Sequence, residues 1–332
     1  MTESATRRVT SADVARLAGV SRATVSYVLN DTPRQTISAT TRGRVLEAAA
    51  QLGYAPSAAA RTLRTGRSDV VLCLLPDWPI GPEVGSLLGN LSTALARHGL
   101  TFVVHPGNHN DRPMADLWKA LTPAAVIAFT DFSDTELAAM RSAGVAPIVA
   151  LARSRAQGRA VAVPQELVGR RQAEHLIAAG HTRLGYAYPD DQRVRFFAEP
   201  RLAGVRAAAT ARGLPVPTAA TVALDIGKAA EAVRGWQATG VTGVCAYNDE
   251  VALAVLAGVR HLGLTAPADL AVIGVDDIPP ARLAEPPLTT VMTDQVAVAA
   301  HLAATVVAAV NGREGPALPV TSIVTVVSRE SA

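Results

Sequence analysis

Residues 9–30 read VTSADVARLAGVSRATVSYVLN, and this stretch decides how the chain begins to fold. Thr10 or Ser11 is suited to cap a helix, and Asp13 falls in its first turn, where the helix dipole favours an anion. Val14, Leu17 and Ala18 recur at i, i+3 and i+4, which predicts one apolar stripe. Gly19 supplies the left-handed residue that ends the helix. Ser21 caps a second helix at once. Val25, Val28 and Leu29 form its apolar face, while Arg22, Ala23, Ser26 and Tyr27 face away. Two short helices joined through Gly19, Val20 and Ser21 describe a helix-turn-helix.

Working outward, Ser38 caps a third helix over 39–52, with Val45, Leu46, Ala49 and Leu52 on one side. Gly53 stops it and Pro56 blocks continuation. Three helices sharing one apolar stripe make a small domain, placed here at residues 1–56. Residues 57–68, SAAARTLRTGRS, then offer Ser57 as a cap and alanines as good helix formers. Isolated helices need about 12–15 residues to hold in water. The segment is therefore a conditional helix, folded when something packs on it, with a plain linker as the simpler alternative.

Charge singles out the same region. The chain has 332 residues and a formal net charge of +3. Residues 1–68 hold ten arginines against Glu3, Asp13, Asp31 and Glu47, a net +6, which leaves −3 for the remainder. A compact basic head on a mildly acidic body points to a polyanionic partner for the head alone. The chemistry fits a duplex. The first turn of the second helix presents N–H groups that favour phosphate. Arg22 there reaches a guanine edge or a phosphate, and Ser, Thr and Tyr hydrogen-bond or touch a thymine methyl. The bland alternative is a small helical interaction domain with a solvated face.

From Asp69 onward, short apolar runs alternate with alanine-rich helical stretches. Strands are expected at 70–75, 101–104, 124–129, 147–151, 183–188, 221–224, 243–247, 270–275 and 322–327. Helices are expected at 83–98, 134–143, 166–179, 200–212, 228–238 and 249–262. This alternation means an α/β body with right-handed crossovers, and its repetition means two doubly wound parallel sheets with a ligand cleft outside the strand ends.

Hydrophobic residues make up 49% of the chain and charged residues 18%, which excludes disorder throughout. There is no run of 18 apolar residues; the nearest, Val296 to Val310, is broken by His301, so no membrane association is expected. No apolar stretch follows Arg7 and Arg8, so no signal peptide is expected. Cys73 and Cys245 sit in apolar runs and read as buried thiols of a reducing cytosol. The sequence contains no G-x-G-x-x-G, G-x-x-x-x-G-K-[ST], G-x-S-x-G or H-E-x-x-H, so no enzyme motif stands out. His105 and His109 lie four apart, but Pro106 and Gly107 argue for a loop, and nothing nearby completes a metal shell. No cofactor is expected. At predicted strand ends lie Asn248 with Asp249, the latter read as a helix cap, and Asp276 with Asp277.

The head, the third helix ending LGYAPS and the segment AAARTLRTGR together resemble the lactose-repressor (LacI/GalR) family of bacterial transcription regulators, and the similarity continues thinly along the chain. The resemblance implies that Arg22 and Ala23 read bases in the major groove. It sets Thr24, Ser26 and Asn30 near the backbone or groove wall. Thr10, Ser11, Ser21, Tyr27, Ser38 and Ala60 complete the DNA-facing set. Tyr27 stands where many members carry Arg, and Tyr lacks the bidentate guanine contact. Leu63 matches the hinge leucine that wedges into the minor groove and bends the duplex.

For the body the resemblance implies a periplasmic-binding-protein-like pair of lobes crossed three times by the chain, near Val163, Thr290 and Pro319. Lobe 1 would hold about 69–163 and 291–318, lobe 2 about 164–290 and 319–332. Effector contacts would come from Asp77, Gln165, Phe197, Arg201, Asn248 and Asp276. A carboxylate, an amide and a guanidinium together offer donors and acceptors to a hydroxyl-rich ligand. Gln165 stands where an effector-binding Asp is common. Ile226 stands where some members carry an aromatic platform, and Phe196, Phe197 or Trp78 could replace it. The expected protein is a homodimeric, effector-controlled repressor of a pseudo-palindromic operator, in the cytoplasm with the nucleoid. With no heptad segment after the last strand, a dimer is expected over a tetramer. The readings of another class are a stand-alone small-molecule-binding protein and an α/β enzyme with an appended basic head.

Overall fold

The computed structural model of the chain describes residues 9–29, 36–54, 68–106, 121–150, 163–316 and 322–332. Asn30, Ala60 and Leu63, most of the 57–68 connector, His109 and the crossing near Pro319 lie outside them. The chain divides into two compact units, Met1–Asp69 and Val70–Ala332.

The head holds α1 (Ser11–Ala18), α2 (Arg22–Leu29) and α3 (Ala39–Gln51). The Asp13 carboxylate takes both the backbone N–H (3.0 Å) and the hydroxyl (2.7 Å) of Thr10, fixing the start of α1. Gly19, at φ 65°, ends it. The Ser21 and Ser38 hydroxyls accept from the N–H groups of Thr24 and Thr41, capping α2 and α3. The core is Val14, Ala15, Ala18, Val25, Val28, Val45, Ala48 and Ala49. Leu17 and Leu46, expected inside, are half-exposed. At about 100° per residue, each leucine lies about 60° outside the arc that its helix buries, and alanines take the inner positions. Among its described residues the head has three short helices, and no other described element widens the stripe.

The body alternates strands and helices. Its first lobe carries β1 (Val70–Leu75), α4 (Pro82–Ala96), β2 (Thr101–Pro106), β3 (Ala125–Ala128), α5 (Asp134–Ser142) and β4 (Ala146–Val149). These strands form an all-parallel sheet in the order β2-β1-β3-β4. The second lobe follows with α6 (Gln165–Ala178), β5 (Leu184–Pro189), α7 (Arg195–Ala211), β6 (Thr218–Val222), α8 (Ile226–Ala238) and β7 (Gly243–Ala246). It continues with α9 (Asp249–His261), β8 (Ala271–Val275) and β9 (Thr289–Thr293). Helix α10 (Gln295–Val310) returns to pack on α4, and β10 (Val324–Val327) rejoins the second sheet. That sheet runs β10-β9-β8-β7-β5-β6 and is parallel except for β10, which pairs antiparallel with β9. Each sheet carries apolar clusters on both faces, and Cys73 and Cys245 are buried thiols within them. No helix among the described residues is long and apolar enough to cross a membrane.

Several boundaries differ from the sequence expectation. The second sheet is mixed rather than wholly parallel. Strand β9 was not foreseen, because its leading Thr289 and Thr290 read as polar. Both are fully buried, and their hydroxyls are satisfied by Ala332, Arg329 and Asp249, groups distant in sequence. The second lobe therefore extends to Thr293, and the crossing falls after it rather than near Thr290. Strand β6 begins at Thr218, ahead of the apolar residues that predicted it at 221–224. Helix α7 starts at Arg195 rather than at residue 200 and contains Pro200. His105 lies inside β2 rather than in a loop.

Candidate functional site

Two surfaces carry chemistry. On the head, Arg22, Ala23, Ser26 and Tyr27 are exposed along α2, on the side opposite Val25 and Val28. Thr24 is half-buried, its hydroxyl 2.9 Å from that of Ser21. Thr10 and Ser21 face solvent, as does Ser38, whose hydroxyl donates to Thr41 (2.9 Å); Ser11 is half-buried. The three cap hydroxyls are thus engaged in fixing helix starts, whereas Arg22, Ser26 and Tyr27 project from an already ordered helix.

The second surface is a cavity of about 710 Å³ in the body, at the carboxyl ends of the parallel strands of both lobes. That is where open α/β sheets bind ligands, because strand ends open into loops and helix N-termini there. Arg201, from the second turn of α7, is the buried cation of the site. Its Nε donates to Gln165 Oε1 at 2.9 Å and an Nη donates to the Tyr247 carbonyl at 2.6 Å. The guanidinium also lies 5.0 Å from the centre of the Tyr247 ring, and an Nη is 3.9 Å from Asp276. Gln165 spends its amide on Val163 O (3.2 Å), so it orients Arg201 from the start of α6.

The crossing of α6 and α7 makes this geometry exact to within a side chain. A Cβ at Gly169 would overlap the Arg201 carbonyl, and one at Gly204 would overlap the Glu166 carbonyl. Only glycine lets the two backbones approach so closely. Asp276 follows β8 at φ 110°, and Asp277 follows it at φ 52°. Such backbone costs roughly 1–3 kcal/mol per residue and persists where surroundings over-determine it. Here Asp277 is clamped by Arg282 at 3.0 Å and by Arg329, while the Asp276 N–H donates to Val291 O at 2.8 Å. The Asp276 carboxylate is thereby aimed into the cavity. Burial raises its pKa, and the Arg201 charge opposes that rise.

Asn248 lines the cavity and also caps α9, its carbonyl oxygen accepting from the Val251 N–H at 3.0 Å. The cap had been assigned to Asp249. Asp249 is instead fully buried, accepting from the Thr290 hydroxyl (2.6 Å) and the Ile278 N–H (2.9 Å). Burial pushes its carboxyl up to about 7. Phe197 lines the cavity at 4.8 Å from the Trp78 ring, which stands 5.0 Å from Phe129. Asp77 lies outside the wall, exposed at 3.6 Å from Arg193. Ile226 is exposed and does not line the cavity, and neither does Phe196.

Glu83 was missed. It sits in the first turn of α4, beyond the end of β1, and had been read only as a helix start. It lines the cavity, where burial and the nearby charge of Asp276 raise its pKa, while a hydrogen bond from Gln295 across the chain crossing opposes the rise. The position just past the first strand of a doubly wound lobe was the available signal.

The comparisons with known proteins fit both surfaces. Residues 10–57 match the bacterial regulatory proteins of the lacI family, and residues 173–332 match the periplasmic binding protein-like domain. The HTH-type transcriptional regulator CelR of Thermobifida fusca is 32% identical over 306 residues, covering 86% of this chain and 87% of CelR. The chain belongs to the lacI family. A solved CelR–cellobiose complex is 26% identical with a TM-score of 0.66, covering 98% of this chain and 100% of that one. The lac repressor dimer bound to operator and the anti-inducer ONPF has the same fold, with a TM-score of 0.77 at 23% identity and coverage of 98% and 99%. As a lacI-family protein the chain is a DNA-binding transcription regulator and not an enzyme, with α2 as the second helix of its helix-turn-helix.

Proposed function

We propose that the chain is a homodimeric repressor whose two heads, residues 1–56, read a pseudo-palindromic operator, and whose body, residues 69–332, takes a hydroxyl-rich small molecule. The observation that carries this reading is the convergence of Gln165, Arg201, Asn248 and Asp276, from four separate elements, on one cavity of about 710 Å³. The volume falls in the range of about 300–1,000 Å³ typical of ligand pockets. Donors and acceptors in that number suit hydroxyls. The CelR–cellobiose complex supports a carbohydrate, and the lac repressor dimer on its operator supports two-fold binding. Arg22 and Ala23 are proposed to read base edges, with Thr10, Ser11, Ser21, Thr24, Ser26, Tyr27, Asn30 and Ser38 around them. Ala60 and Leu63 of the connector are proposed to enter the minor groove. Ligand would act by shifting the lobes and so the start of the connector. A helix marginal on its own changes occupancy with a coupling of only about 1–3 kcal/mol. The protein acts with the nucleoid, in the bacterial cytoplasm.

The test is a gel shift on inverted-repeat fragments from around the protein's own gene, across a salt series and with a panel of mono- and disaccharides. The wild type should prefer one fragment over random duplex, lose affinity steeply with salt, and respond to a sugar. Arg201→Ala should bind the same fragment without responding. Absence of any fragment preference, or a variant that responds like the wild type, overturns the reading.

A further inference from the structure

Beyond the last rung of their ladder, β7 and β8 are tied together by a side chain. The two strands pair from Gly243 with Ala271 to Cys245 with Ile273. Where that pairing stops, Nε2 of Gln172, from α6, donates to Ala246 O at 2.8 Å and to the Ile273 and Gly274 carbonyls at 3.1 Å each. Two N–H bonds are thus shared among three oxygens. Gln172 is fully buried and does not line the cavity. Its Oε1 has no partner among the described residues. A buried acceptor left unpaired opposes folding, and a methionine would fill similar space without one. The amide is therefore explained by its donors, which serve one carbonyl of β7 and two of β8.

The groups proposed to meet the ligand start from these strand ends. Asn248 is two residues past Ala246, and Asp276 is two past Gly274. A Cβ at Gly274 would overlap Asp249 Oδ1, so the end of β8 packs directly against the first residue of α9. A shift of either strand end moves Asn248 relative to Asp276. Gln165, Gly169 and Gln172 recur at i, i+4 and i+7, on one face of α6. That face orients Arg201 through Gln165, admits the Arg201 backbone at Gly169, and holds β7 and β8 through Gln172. We propose that Gln172 is a positioning residue for recognition: it fixes the separation of Asn248 and Asp276 and sets both against Arg201, without itself touching the ligand. This rests on the proposed reading of the cavity as the effector site.

The experiment is calorimetry on the full chain with glucose, galactose, maltose and cellobiose as probes. At least one sugar should bind the wild type. Gln172→Met keeps a similar volume, removes the donors, and should bind that sugar about tenfold more weakly. Gln172→Glu stays protonated when so deeply buried and keeps one donor, so its affinity should fall between the two. Leu176→Ala, one turn further along α6 in the apolar core, separates position from stability. It should lose at least as much stability in a denaturant titration and still bind the sugar within twofold of the wild type. A Gln172→Met affinity within twofold of the wild type overturns the proposal, and so does an equal loss of affinity in Leu176→Ala. Should Gln172→Met fail to fold, Gln172→Glu decides: wild-type affinity in that variant overturns the proposal. A panel in which no sugar binds the wild type, while the operator gel shift still shows fragment preference, overturns the cavity reading and the role of Gln172 with it. Sugar binding that persists unchanged in the Gln172 variants condemns the role of Gln172 alone.

Discussion

In the head, Arg22, Ala23, Ser26 and Tyr27 lie within two turns of one eight-residue helix and project into solvent. In the body, Gln165, Arg201, Asn248 and Asp276 come from four elements and are bonded to the scaffold that presents them. The difference teaches what each surface tolerates. A change on the exposed face of α2 alters recognition and leaves the core of Val14, Val25 and Val45 intact. A change at Arg201 removes a binding group and also unseats Gln165 and the Tyr247 carbonyl, so recognition and stability move together.

The largest expected effect separates the two units. Val14 is fully buried in a core of eight small residues. Val14→Asp strands a charge there at a cost of about 3–5 kcal/mol, more than so small a domain holds in reserve. Calorimetry should show the head's transition gone and the body's unchanged, with operator binding lost and ligand binding kept. A body transition that shifts as well would break the comparison.

Asp249 tests the buried scaffold. Asp249→Ala leaves the Thr290 hydroxyl and the Ile278 N–H without their acceptor, a loss of about 1.5–3 kcal/mol in the body's stability by denaturant titration. Asp249 also carries a pH signature. Its carboxyl is raised to about 7 in the fold, against about 3.9 unfolded. The folded state therefore binds the proton more tightly between those values. Stability from this group is full below about pH 4, falls as pH rises through 7 and is level beyond. Asp249→Asn should flatten that part of the stability–pH curve, and an unchanged slope would exclude the group as its source.

Gly204→Ala probes how scaffold geometry reaches the site. The new methyl meets the Glu166 carbonyl and the Arg170 N–H, so α7 must move off α6 at about 1–3 kcal/mol. Because Arg201 rides on α7, small-molecule affinity should fall about tenfold, while operator binding without ligand stays at the wild-type level. Gly235→Ala on α8, whose Cβ meets nothing within 4 Å, is the control and should keep wild-type affinity. The smallest effect belongs to the exposed pairs of Arg193 with Asp77 and Asp191. Arg193→Ala should leave the melting temperature within experimental error, because solvent screens such contacts.

How much was legible follows from the same division. The head's caps, its left-handed Gly19 and the outward face of α2 depend on neighbours within four residues, and the string of letters contains them. Its two misplaced leucines, Leu17 and Leu46, depend on how wide a stripe the partner helices cover, which is a tertiary quantity. Most body strands were legible as apolar runs, but β9 was hidden by buried threonines whose partners lie about forty residues away. Arg201, Asn248 and Asp276 entered through family resemblance. Trp78 and Phe197 entered the same way, but Glu83 and the packing of Trp78 between Phe129 and Phe197 emerged only once the two lobes were placed face to face.

By itself the sequence determined the local elements, the basic head and the alternation that makes a two-lobed α/β body, because capping, turn chemistry and hydrophobic period act over a few residues. Tertiary structure alone decided which carboxylates share a cavity and which hydroxyls are buried with partners. Those properties arise when chain segments distant in sequence exclude water from one another, and no local pattern of residues encodes that meeting.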